Sequence, residues 1–214
     1  MSLGKRKGPD IMPVFKYDAK AGSFYKQDRV LTQDGWGNEQ TDVGDDLRAG
    51  RVIFDLDTIE VGWLYFPKGA APEMVLFPAG QDIGDAPEKN FKQGFRMIVK
   101  LDGDEPREFM STAAATWHAI DALHTAYGKI ARADSVAKVK LTDLIETRTG
   151  NGTNFTPVFE LAGLVARPPD LPRPTGPRKP VKQTRPTGPR KPMKQTRTAG
   201  GHKVASLDDD VPFD

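Results

Sequence analysis

Strict alternation and short apolar runs, each bounded by turn residues, mark seven strands: near Pro13 to Tyr17, Val52 to Leu56, Ile59 to Phe66, Met74 to Phe77, Phe95 to Leu101, Val136 to Leu141 and Thr156 to Val165. One stretch has helical spacing instead. From about Thr112 to Ala131, residues Ala113, Thr116, Ile120, Leu123, Tyr127 and Ile130 recur on one face, and Ser111 or Thr112 can cap the start. Two strands sort their faces cleanly. Phe95, Met97, Val99 and Leu101 oppose Arg96, Ile98 and Lys100, while Ala137, Val139 and Leu141 point inward against Lys138 and Lys140 outward.

Strands do not alternate regularly with helices, so the elements fit a small closed barrel better than a doubly wound sheet. Strands as far as Leu101, then a helix, then two strands joined by the flexible loop Arg148-Thr-Gly-Asn-Gly-Thr-Asn154, follow the order of an OB-fold. The predicted class is mainly β: an OB-fold-like barrel with one helix over residues 13–166, preceded by a flexible basic arm, residues 1–12.

Beyond residue 166 the pattern stops. Arg173-Pro-Thr-Gly-Pro-Arg-Lys-Pro-Val-Lys-Gln-Thr184 is repeated almost unchanged as Arg185 to Thr196, and ten of the 18 prolines lie in this final part of the chain. A segment with so little to bury cannot offset its ordering entropy, so residues 167–203 are expected to be a disordered linker. Charge divides the chain the same way. Residues 1–166 hold 20 Lys and Arg against 24 Asp and Glu, a formal −4; residues 167–203 hold 11 basic residues and one acid, a formal +10; residues 204–214 hold four Asp and no base, a formal −4. The net +2 therefore conceals three different regions in series.

Composition removes several function classes. Cysteine is absent, which excludes disulfides, thiolate metal sites and cysteine nucleophiles, and suits a reducing cytoplasm. No apolar core follows the basic start, so it does not read as a signal peptide, and Val61 to Phe66, the longest strongly apolar run, is too short to span a bilayer. Enzyme signals are weak. His118 and His124 are six apart and face different ways on a helix, His202 lies in the linker, and the acid groups Asp45-Asp46, Asp55 with Asp57, and Asp102 with Asp104-Glu105 read mostly as turn and surface residues. No phosphate-cradling glycine loop is present. No catalytic residue, metal or cofactor is expected.

Signals for binding nucleic acid are better. Arg96 and Lys100 on one strand and Lys138 and Lys140 on another form paired bases on the outer face, beside the aromatics Trp36, Trp63, Tyr65, Phe66, Phe91 and Phe155. Phe91 lies between Lys89 and Lys92. Bases stack on such rings whatever their sequence, while Lys and Arg hold the phosphates. Trp63 and Tyr65 suit the core at least equally well. It is the combination that points to a DNA-binding face.

The end of the chain adds a resemblance. Asp208-Asp209-Asp210-Val211-Pro212-Phe213 closely resembles the acidic tip of bacterial single-stranded DNA-binding proteins, and phage single-stranded DNA-binding proteins of the OB-fold type carry comparable acidic tails. The resemblance implies a cytoplasmic protein of the bacterial cell, of bacterial or phage origin, that coats single-stranded DNA without sequence specificity. It also implies recruitment of replication, recombination and repair proteins through Asp208, Asp209, Asp210, Val211, Pro212 and Phe213, and is compatible with a homo-oligomer. The physics of the tip suits recruitment. Val211 and Phe213 can enter a small apolar pocket, Pro212 limits the entropy lost, and the Asp run is drawn to a basic rim. Asp214 follows where the family tip ends at Phe, and the linker is basic where the family's is weakly charged. Two other readings stand beside this one: an adaptor whose body binds protein and whose basic tail binds nucleic acid, and a nuclease using acids such as Asp55 and Asp57.

Overall fold

The computed structural model describes residues 12–32, 35–67, 72–149 and 152–172. In them, nine strands form one sheet: β1 (Val14–Asp18), β2 (Ser23–Thr32), β3 (Gly35–Asp42), β4 (Val52–Tyr65), β5 (Glu73–Pro78), β6 (Lys92–Leu101), β7 (Arg107–Ser111), β8 (Ser135–Thr149) and β9 (Gly152–Ala166). A one-turn helix, α1 (Gly44–Arg48), precedes β4, and the main helix, α2 (Ala114–Gly128), joins β7 to β8. The protein is mainly β with one main helix on a curled, barrel-like sheet, as the order of elements predicts.

The strands run β3-β2-β1-β7-β6-β4-β8-β9, with β5 paired to β4. Within that order β9-β8-β4-β6-β7, with α2 inserted between β7 and β8, keeps the OB-fold-like arrangement. β1 joins β7 in parallel, and the turn after β1 then reaches the far edge of the sheet. There the Phe155 N–H donates to Ala19 O at 2.7 Å and the Tyr17 hydroxyl donates to Phe155 O at 2.6 Å. These bonds tie β1 and the turn after it to β9, the strand at one edge of the sheet.

Inward side chains fill the interior. Phe15 meets Phe109 at 5.2 Å and Phe109 meets Phe95 at 5.3 Å, both edge to face, and Phe159 packs on Phe54 at 5.4 Å. Ala137, Val139 and Leu141 of β8 and Met97, Val99 and Leu101 of β6 are buried with them, as their alternation predicts. α2 buries Thr116, Ile120, Leu123 and Tyr127. Among the described residues, one basic residue is fully buried. Arg107, only 2% exposed, donates to Asp28 at 2.7 Å and to Asp104 at 3.0 Å, which offsets the cost of taking a guanidinium out of water.

Several boundaries differ from those the sequence pattern predicts. Val52 to Leu56 and Ile59 to Phe66 merge into one strand, β4, which ends at Tyr65 and whose register against β6 shifts between Asp55 and Glu60. α2 starts at Ala114 with no side-chain cap, because the Ser111 hydroxyl accepts from Ala113 N instead, and its end at Gly128 leaves Ile130 exposed. β2, β3, β7 and α1 have no counterpart among the predicted elements. Residues 167–172 belong to the packed body rather than the linker. Arg167 donates to Asp55 at 2.7 and 2.9 Å and to Asp57 at 2.9 Å, and Leu171 is buried with Ile53, Ile98 and Val136 against Met12 and Val165. This second cluster covers Ile98, which the strand pattern leaves facing out.

Asp55 is correspondingly no surface acid: it is fully buried and held by a two-pronged guanidinium. Among the described residues no helix is long and apolar enough to cross a membrane. The arm up to Ile11, the repeats from Arg173 and the tip Asp208 to Phe213 lie outside the described residues.

Candidate nucleic-acid interface

β4 and β6 run beyond the barrel core, and their shared face turns aromatic there. Trp63 pairs with Gln93 across the ladder, and Tyr65 and Phe91 stand opposite each other one position beyond the Leu64–Lys92 rung. The Tyr65 and Phe91 rings lie 5.7 Å apart at 44°. Both are half-buried, and Phe66 next to them is 48% exposed. The Trp63 indole N–H donates to Ile83 O at 3.2 Å, which ties the loop after β5 to this strand.

Local sequence explains why the rings converge. Gly62 and Gly94 face each other in the β4–β6 register. A Cβ on Gly62 would sit 2.1 Å from Val75 O, and one on Gly94 would sit 2.5 Å from Ser111 O. Only glycines at this rung let β5 close on β4 and β7 close on β6. Phe91 is set by a turn in which its N–H donates to Glu88 O at 3.1 Å, and this leaves Lys89 and Lys92 exposed on either side of it. The result is a ring pair with an exposed third ring and two lysines.

The other sequence candidates are placed differently. Arg96 donates to Glu60 at 3.0 Å and pairs closely with Glu108; burial would lower its pKa, but the two carboxylates raise it, so its charge is held in place and spent on them. Lys100 donates to Asp170 at 2.6 Å and Lys138 to Asp102 at 3.1 Å. Lys140 is exposed, with no ion-pair partner among the described residues. Phe155 packs over the β1–β2 turn, where a Cβ on Gly22 would lie 3.0 Å from its ring. The Trp36 backbone pairs with Leu31 in the β2–β3 hairpin, away from this cluster in the strand order, and its side chain lies outside the described residues.

The structure thus brings Trp63, Tyr65 and Phe91 to one face of the ladder, with exposed Phe66 next in the chain, and disperses the rest. Lys89 and Lys92, neighbours of Phe91 in the chain, are exposed close by. Their only signal in the sequence is that they flank an aromatic. The acids Asp55 and Asp57, which the nuclease reading names, are both engaged by Arg167, and Asp57 Oδ2 also accepts from the Tyr127 hydroxyl at 3.2 Å. Among the described residues, no group of three or more His, Asp or Glu is arranged to hold a metal ion. Comparison with family models, with curated proteins and with solved structures finds no match to this chain.

Proposed function

We propose that this protein binds single-stranded DNA with little sequence preference, without catalysing a reaction on it, and recruits replication, recombination or repair proteins through Asp208 to Phe213. The observation that carries the reading is the ring pair Tyr65 and Phe91, with Phe66 exposed beside it and Lys89 and Lys92 flanking it. Rings of this kind stack unpaired bases at about 1–3 kcal/mol each, and neighbouring lysines add a salt-dependent attraction for phosphates. An OB-fold-like body and an acidic, apolar tip that resembles those of single-stranded DNA-binding proteins support the same reading. Titration with labelled oligo-dT tests it. Binding that weakens steeply with salt and quenches tryptophan fluorescence is expected, and no detectable binding at low salt overturns the proposal.

One observation favours the adaptor reading. Arg96, Lys100 and Lys138 are already paired with acids, so these outer-face bases of the body are committed. Removing residues 173–214 separates the two. The leading reading keeps most oligo-dT affinity in the shortened chain, whereas an adaptor with a basic tail loses nearly all of it.

A further inference from the structure

A second feature of the β4–β6 ladder lies on the α2 side of the ring pair. Between the ladder, the loop after β5 and α2 is a cavity of about 430 Å³. Its apolar lining includes Val61, Phe95, Trp117 and Ile120, with the Phe95 and Trp117 rings 6.4 Å apart. Trp117, Ile120, Asp121 and His124 recur at helical spacing, so one face of α2 forms a wall. Apart from the His124 imidazole and the neutral amides of Gln81 and Gln93, its polar side chains are acids. Asp82 and Asp121 line it, with Gln93 and His124, and no lysine or arginine does.

These acids are not used up elsewhere. Asp82 accepts one hydrogen bond from Gly84 N at 3.0 Å, and Asp121 has no hydrogen-bond or ion-pair partner among the described residues. Two carboxylates beside a space walled by tryptophan and phenylalanine repel a phosphate, so the cavity does not continue a nucleic-acid track. They attract the opposite charge. Aromatic faces draw cations as well, and a volume of this size holds a small molecule with a ring-sized body.

We propose that this cavity binds a small organic cation: an aromatic or branched aliphatic body carrying an ammonium or guanidinium group. The body lies against Phe95, Trp117 and Ile120, and the charged group is directed to Asp121 and Asp82. The site is independent of the DNA-binding reading.

Titration of the full chain with 2-phenylethylammonium, followed by amide and indole NMR shifts, tests the proposal against two controls of similar shape: neutral 2-phenylethanol and anionic 3-phenylpropionate. The ammonium compound is expected to shift the Trp117 indole and the Gln93 and Asp121 amides. It should bind at least about tenfold more tightly than the alcohol, with no binding of the anion. Asp121→Asn and Asp82→Asn, both at exposed positions, should each weaken it several-fold and leave the thermal midpoint unchanged. A blocked Phe-Arg dipeptide identifies the source of the group: tighter binding than the amine points to a basic peptide side chain, weaker binding to a free amine, and either supports the cation site. Equal affinity for alcohol and ammonium, shifts that miss the Trp117 indole, or no binding of any cation overturns it.

Discussion

Single residues separate binding from packing here. Tyr65→Ala and Phe91→Ala should each cost about 1–3 kcal/mol of oligo-dT affinity, roughly 5- to 150-fold, in an anisotropy titration, because each removes a stacking surface. Phe155→Ala should instead lower stability and leave that affinity nearly unchanged, since its ring faces Gly22. The Arg167 clasp makes a stronger demand. Asp55 is fully buried, and removing its partner leaves a carboxylate without compensation, so Arg167→Ala should destabilise the fold by about 3–5 kcal/mol in urea unfolding. Two tyrosines make stability sensitive to alkaline pH. Burial, reinforced by Asp18, pushes Tyr17 up to about 12, and burial, reinforced by Asp57, pushes Tyr127 up to about 12. Both are favoured neutral in the folded state, so their contribution is complete below the ordinary tyrosine value of 10.0 and is lost as pH rises from there toward 12. Tyr17→Phe should reduce this alkaline loss in thermal melts taken across that range, at the cost of the hydrogen bond to Phe155 O.

At the scale of elements, the interior strands and the main helix were legible and the polar ones were not. β6 and β8 alternate apolar and polar residues because one side faces the core, and the α2 stripe reads directly as a buried face. β2 and β3, Ser-Phe-Tyr-Lys-Gln-Asp-Arg-Val-Leu-Thr and Gly-Trp-Gly-Asn-Glu-Gln-Thr-Asp, pair mainly with each other and bury little, so no period marks them. β7 is five residues long and has a buried arginine where a pattern reader expects an apolar one. The candidate site was half legible for a related reason. An aromatic can be seen in a sequence, but a base's acid partner cannot: Lys100 meets Asp170 seventy positions away, and Arg96 meets Glu60 thirty-six away. The glycine rung carries its own prediction. Gly62→Ala should destabilise the protein by about 1–3 kcal/mol or more, seen as a lower urea midpoint, because Val75 O is backbone and cannot swing aside.

For the whole molecule, the end of the folded body matters more than the composition shift at residue 166 indicates. A chain ending at Pro172 keeps Arg167 and Leu171 in place and should melt close to the full-length protein, whereas one ending at Ala166 exposes Ile53, Ile98 and Val136 and leaves Asp55 unpaired. Differential scanning calorimetry of the two distinguishes a boundary at 166 from one after 172. The bonds that tie β1 to the edge strand β9 affect timing as well. Tyr17 bonds to Phe155 across 138 positions of sequence, and Arg167 to Asp55 across 112. Contacts of such span form slowly, because the long loop must be closed before they contribute anything. On a ribosome, the β1–β2 hairpin emerges early and must wait for nearly the whole body to be synthesised before it finds its closing partner.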